Sequence, residues 1–287
     1  MQVLTEIRAA RALLDGVRAG GGTVGLVPTM GYLHEGHRSL MDRSVGERDV
    51  TFVTIFVNPL QFGADEDLAT YPRDLDSDTA MCEAAGVDVV LHPGVAEMYP
   101  QSTPTLTSVS VAEISAPMEG ASRPTHFAGV ATVVAKLFNI CGPCRAYFGE
   151  KDWQQLAVIR RMAADLSFPV EVAGCPTVRE ADGLAMSSRN AYLSAEERAA
   201  APVLHWALVA GAAAVAAGER DPAKVRQLVA DLIRAEPLAE FDYAEVVDAE
   251  TLQEVDPLAG KLRLLAAVRF GRARLIDNEG ATAAAPT

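Results

Sequence analysis

Residues 23–37 read TVGLVPTMGYLHEGH, and this stretch decides the fold. Thr23 to Thr29 is a short apolar run bounded by glycine before it and Met30-Gly31 after it, which predicts a buried parallel strand. From His34 to about Asp49 the pattern turns helical. A buried strand that passes through glycine into a helix opens a β-α-β unit, and the chain repeats it. Val50 to Val57 (VTFVTIFV) is almost wholly β-branched and aromatic, the side chains that pack best on a pleated surface. A helix from about Asp74 to Ala85 comes next, with Asp74, Asp76 and Ser77 at its start, and Gly86 leads into a strand at Val87 to Leu91. This order predicts a parallel sheet with right-handed crossovers. A Pro-, Ser- and Thr-rich segment, 95–125, interrupts the alternation. It resumes with helix 126–140, strand 145–148, helix 152–165 and a strand near 169–172. At the other end, Val3, Ile7, Ala10, Leu14 and Val17 recur at helical spacing and predict a helix.

Beyond Asn190 the texture changes. An alanine-rich helix at about 195–217 and another at 222–235 precede two strand-like stretches, 241–247 and 262–276. The expected organisation is therefore α/β, with a Rossmann-like parallel sheet over residues 1–185. A smaller C-terminal α+β domain covers 186–280, and 281–287 form a tail.

Composition excludes several classes. The chain has 287 residues and a net charge of −13, and a protein this acidic lacks the clustered Lys and Arg that non-specific nucleic-acid binding requires. The apolar stretch 199–217 is broken by His205 and Gly211 and reads as a packed helix. The first residues lack a signal-peptide pattern, and the expectation is a cytoplasmic protein. Cys141-Gly142-Pro143-Cys144 spells a thiol-redox tetrad, but here a helix precedes it and a strand succeeds it, the reverse of the arrangement that activates the first thiol. It reads as a loop with incidental cysteines.

Four segments carry chemistry. His34 and His37, three residues apart, share one face of a helix's first turn, where unpaired N–H groups and the helix dipole favour a phosphate. Two imidazoles there can stabilise charge on a pentacoordinate phosphorus. Asn58-Pro59-Leu60-Gln61 leaves the strongest strand at the end where open α/β sheets bind ligands, so Asn58 and Gln61 are expected to hydrogen-bond a substrate. Gly149-Glu150-Lys151-Asp152 again joins strand to helix. Lys151 suits a phosphate, Asp152 a helix cap, and Gln155 the same crevice as Gln61. Ala181 to Asn190 is a polar loop in which Ser187, Ser188 and Arg189 can grip phosphates. Arg123 and His126 are either functional or caps of the next helix, and Asp74, Asp76 and Asp78 either ligate a metal or favour their helix's N-terminus.

PTMGYLHEGH resembles the His-x-Gly-His motif of the nucleotidylyltransferase superfamily. FVNPLQFG, YPRDL, GVATVVAKLFNI, YFGEKDWQQL and READGLAMSSRNAYLS resemble the pantothenate synthetases in particular, in order from about residue 25 to 195. The resemblance implies an ATP-dependent condensation of pantoate with β-alanine through a pantoyl adenylate, releasing pyrophosphate and AMP. It implies that Met30, Gly31, Tyr32, Leu33, His34, Glu35, Gly36 and His37 contact ATP, with His37 the proton donor and His34 its partner. Gly149 to Asp152, Val178, Met186, Ser187, Ser188 and Arg189 would line the rest of the nucleotide site, with Lys151, Ser187 and Arg189 in catalytic roles. Gln61 and Gln155 would hold pantoate, Gln61 serving β-alanine as well. Magnesium would accompany the triphosphate on protein ligands that the motifs leave unknown. A homodimer is implied in the same way, and neither nucleic acid nor membrane is expected as a partner. Thr125 departs from the Gly usual in the family, and the cysteine loop occupies a variable position. The rival readings are a plain nucleotidylyltransferase and a thiol redox protein.

Overall fold

The computed structural model describes residues 1–63, 66, 68–100 and 107–284. They form two compact units, one of residues 1–150 with 155–176 and one of 151–154 with 177–287. The sequence pattern divides the chain after Ala185. The structure instead groups 177–185 with the C-terminal unit, because Val178 to Met186 folds back on itself there, joined by an Arg179–Ala185 bridge.

The first unit is a six-stranded, wholly parallel sheet in the order β1-β4-β3-β2-β5-β6. Its strands are β1 (Gln2–Leu4), β2 (Val24–Thr29), β3 (Val50–Ile55), β4 (Val89–Leu91), β5 (Cys144–Gly149) and β6 (Val170–Cys175). The helices are α1 (Ile7–Ala19), α2 (Glu35–Glu47), α3 (Leu75–Ala84), α4 (Val95–Met98), α5 (Glu119–Ser122), α6 (His126–Cys141) and α7 (Trp153–Asp165), whose first two residues group with the second unit. Alternate residues of one strand feed opposite cores, as the period of a strand requires. Leu26 and Phe52 pack with Leu14, Val130 and Phe138 on one face, while Val27 and Val53 pack with Met41, Cys82 and Tyr147 on the other. The expected N-terminal helix is shorter than its pattern: Gln2 to Leu4 pairs with β4 as a strand, and the helix begins at Ile7. Three residues carry no periodicity of their own, so only the free edge of β4 makes them a strand.

The second unit packs helices α8 (Ala195–Ala200), α9 (Val203–Ala216) and α10 (Pro222–Arg234) with an antiparallel sheet of β7 (Glu240–Asp248), β8 (Gly260–Phe270) and β9 (Ala273–Ala283). Two of its features correct the expectation. The stretch 262–276 is two strands, because Gly271, with φ of 51°, turns the chain between Phe270 and Ala273. The expected tail is strand through Ala283, which pairs with Gly260. Residues 285–287 lie outside the described residues. By length and composition 195–216 is apolar enough to cross a membrane. In the fold it is two helices broken at Ala201-Pro202, and Leu204, Ala207, Leu208 and Val215 are buried in the core of this unit.

Candidate active site

The strand order places three of the four motif segments side by side. β2 lies between β3 and β5, so the loops after Thr29, Ile55 and Gly149 leave the carboxyl ends of three adjacent strands. From β2 the strand order runs outward through β3 in one direction and β5 in the other. Such a reversal point is where open α/β sheets leave a crevice for a ligand.

His34 is the N-cap of α2, and the cap is made by two histidines. His34 Nδ1 accepts from Gly36 N at 3.1 Å, and His37 Nδ1 accepts from His34 N at 3.3 Å, so the rings stand 4.1 Å apart. This reproduces the reciprocal capping box with imidazole in both roles. It also assigns the tautomer. A ring nitrogen that accepts a backbone N–H carries no proton, so each ring holds its proton on Nε2 and presents an N–H donor there.

The loop before the cap is held from α3. Gly31 and Tyr32 have φ of 85° and 51°. This left-handed turn is stabilised by Asp78, whose carboxylate accepts from Tyr32 N at 2.8 Å and Leu33 N at 2.7 Å. A Cβ on residue 31 would stand 2.8 Å from that carboxylate, so glycine is required for space as well as conformation. Burial pushes the Asp78 carboxyl above its ordinary range, and the two backbone bonds pull it back. Of the two roles open to the acidic stretch, Asp74 caps α3 through Ser77 N, and Asp78 anchors the loop. Among the described residues no group of three or more His, Cys, Asp or Glu is arranged to hold a metal.

Gln61 is presented from several sides. It is 7 % exposed, and its side-chain oxygen accepts from Asn58 Nδ2 at 3.1 Å. The second Asn58 N–H goes to Gly129 O at 3.1 Å, and Asn58 Oδ1 accepts from Leu60 N and the Tyr99 hydroxyl. An amide has two donors and two lone pairs, so all four hydrogen-bonding positions of Asn58 are engaged within the protein, one of them on the Gln61 side chain. The Gln61 carbonyl is met by His126 Nδ1 at 3.0 Å and by Arg123. Arg123 is held by Glu66 at 2.8 Å and reaches His126 Nε2 at 3.3 Å. Burial, and then the Arg123 charge, push the His126 pKa down to about 4, so its ring is neutral with the proton on Nδ1. Arg123 and His126 support the loop; helix α6 has no side-chain cap. Gly149 and the half-buried Gln155 stand at the end of β5, and space above Gly149 is open.

In the second unit, Lys151 is partly buried with Nζ 3.5 Å from Asp152, so Asp152 pairs with the lysine. Val178 O accepts from Met186 N at 3.0 Å, and Ser187 caps a short 3₁₀ turn that contains Ser188 and Arg189. Arg198 clamps the neighbouring bend through Glu180 and Asp182. Lys151, Ser187 and Asn190 line one small cavity beside Asp277. Sequence reasoning misses Asp78 as an anchor, Gly129, Asp277 and Asn278. Each acts on a segment remote in sequence, and no local pattern marks it.

A sequence model of the Pantoate-beta-alanine ligase family matches residues 2–280. The chain is 54 % identical over 278 residues to a pantothenate synthetase of Heliobacterium modesticaldum, covering 97 % of this chain and 98 % of the relative. To that of Roseiflexus castenholzii it is 56 % identical over 273 residues, 95 % of each. The crystal structure of the Thermus thermophilus pantothenate synthetase superposes with a TM-score of 0.91 at 49 % identity, over 97 % of this chain and 99 % of that one. A Francisella tularensis pantoate-β-alanine ligase complexed with β,γ-ATP and β-alanine superposes at 0.78 with 30 % identity, over 97 % of each chain. With a parallel sheet whose motif loops meet at its reversal point, and with this likeness along nearly its whole length, the chain belongs to the pantoate–β-alanine ligase family.

Proposed function

We propose that this ligase joins pantoate to β-alanine in two steps, with ATP supplying the activation. In the first, the pantoate carboxylate attacks the α-phosphorus of ATP. The bond to the β-phosphate oxygen breaks, and pyrophosphate leaves. In the second, the amine of β-alanine attacks the acyl carbonyl of the pantoyl adenylate, and AMP leaves as pantothenate forms with loss of a proton.

The observation that carries this reading is the paired-histidine cap at the mouth of α2. Its tautomers put an Nε2–H on each ring, at the positive end of a helix, and this is the kind of donor a pentacoordinate phosphorus requires. Met30 to Glu35 and Gly36 supply backbone for close approach of the nucleotide, and His37 protonates the leaving oxygen with His34 beside it. Gln61, its side-chain oxygen fixed by Asn58, offers its Nε2 donors to pantoate and later to β-alanine, and Gln155 takes the other side of pantoate. Lys151, Ser187 and Arg189 meet the β- and γ-phosphates, and Gly149, Glu150, Asp152, Val178, Met186 and Ser188 line the nucleotide. The net charge of −13 makes this local concentration of donors necessary. Magnesium arrives on the triphosphate as part of the substrate. A homodimer rests on the family resemblance, and sedimentation at twice 30.4 kDa tests it.

The test is stepwise. Pyrophosphate release from ATP should need pantoate, and AMP release should need β-alanine as well. A chain that releases no pyrophosphate when pantoate is added does not work this way, and pyrophosphate release that depends on a phosphorylated acceptor instead would return the plain nucleotidylyltransferase.

A further inference from the structure

Two segments assigned to the triphosphate, the one at Lys151 and the one from Val178 to Arg189, lead to the same two residues. Asp277 and Asn278 are adjacent on β9, 4 % and 3 % exposed. Asn278 Nδ2 donates to the carbonyl of Lys151 at 2.7 Å, and Asn278 Oδ1 accepts from Arg263 Nε at 2.6 Å. That guanidinium lies 3.6 Å from the centroid of the Trp153 ring, whose indole N–H donates to Ala249 O at 3.0 Å. Residues 151 to 153 are thus held at the main chain by β9, at the ring face by β8 and at the ring edge by the turn after β7. Asp277 grips Arg179 through both oxygens, at 2.6 and 3.0 Å, and Arg179 reaches on to Gly183 O at 3.1 Å. The Asn278 N–H donates to Asp277 Oδ1 at 2.8 Å, which ties the two anchors together.

We infer that Asp277 and Asn278 are positioning residues for the nucleotide, fixing the Lys151 segment and the Arg179–Arg189 segment to a common point on β9. This rests on the reading that Lys151 meets the phosphates. The physical case is one of register. Lysine has a long, flexible stem, so where its ammonium can reach is set by where its main chain is held. A carbonyl bound by a buried amide, beside a stacked indole, is a rigid base. The bidentate Arg179–Asp277 pair gives the second segment a base of equal rigidity one residue away. Misplacement of a charge-stabilising group by about 1 Å costs on the order of 10²-fold in rate.

The experiment is a double-mutant cycle on the holoenzyme, measuring pantoate-dependent pyrophosphate release with ATP and pantoate varied separately. Asn278→Ala should lower kcat/KM for ATP roughly tenfold or more and change the KM for pantoate less than twofold. On a Lys151→Ala background the same substitution should lower it less than about threefold, because the group it positions is gone. A purely structural role gives equal losses on both backgrounds, and that result overturns the inference. If Asn278→Ala does not fold, Asn278→Asp is put through the same cycle, since it keeps the acceptor for Arg263 and replaces the donor to Lys151 by a charged acceptor that cannot hold that carbonyl. A near-inactive Lys151→Ala beside a normal, folded Asn278 variant overturns this inference alone. A fully active Lys151→Ala overturns the reading of Lys151, and the inference with it.

Discussion

Replacing Gly129 by alanine should cost this enzyme far more activity than stability. Gly129 lies in the first turn of α6, where its carbonyl takes a hydrogen bond from Asn58. A Cβ at that position would overlap the Leu60 carbonyl and stand 2.6 Å from Gln61 Cα. Ordinary contact begins at 3.4 Å, so the backbone of Gln61 must retreat by about 0.8 Å and the Leu60 carbonyl by more. Alanine gains about 1 kcal/mol of helix propensity over glycine, while forcing a methyl into a packed contact costs about 1–3 kcal/mol. The atoms in the way are backbone and give less easily than a side-chain end, so the net loss is about 2 kcal/mol or more, which for a protein of this size moves Tm by several degrees. The shift at Gln61 is another matter, because a displacement near 1 Å in a substrate-holding group costs on the order of 10²-fold. Pantoate-dependent pyrophosphate release at saturating ATP measures the loss, with Gln61→Ala in parallel as its ceiling. A folded Gly129→Ala variant whose pantoate KM and rate stay within about threefold of the parent would refute the account of how Gln61 is presented.

Three other outcomes are expected from the geometry. His37→Ala should lower adenylate formation by at least ~10²-fold, the low end for removing a positioned acid or transition-state donor, and near-normal turnover in a folded variant would reject that role. Since the His126 pKa is pushed from 6.5 down to about 4, the folded state resists a proton that the unfolded chain accepts. Stability should therefore fall as pH drops from about 6.5 to 4. His205, lowered first by burial and then by the Arg179 charge, acts in the same direction. Urea midpoints across that window should flatten in His126→Gln, and an unchanged slope would contradict this. Replacing Cys141 and Cys144 together by serine should leave ligation intact, and an inactive but folded double variant would restore the case for redox chemistry.

The parts of this protein legible in its sequence are those whose physics is local. Strand β3 is visible because VTFVTIFV can do little else, and α3 because an aspartate caps it. The histidine pair is visible because three residues of separation on a helix bring side chains together whatever surrounds them. The hairpin at Gly271 is hard to read because the strand-like pattern of 262–276 continues on both sides of it, and a single glycine is its only mark. Asp78 is ambiguous because an acid in a first turn looks the same whether it meets the dipole, a metal or a loop.

By itself, then, the sequence determined the alternation of strands and helices, the identity of the phosphate-facing turn and the family. The tertiary structure decided which residues stand behind the chemistry. Asn58 and Gly129 are 71 positions apart, Gln61 and His126 65, and Lys151 and Asn278 127. Pairings at such distances are set by strand order and by which buried polar groups must find a partner, and neither is written in any local period.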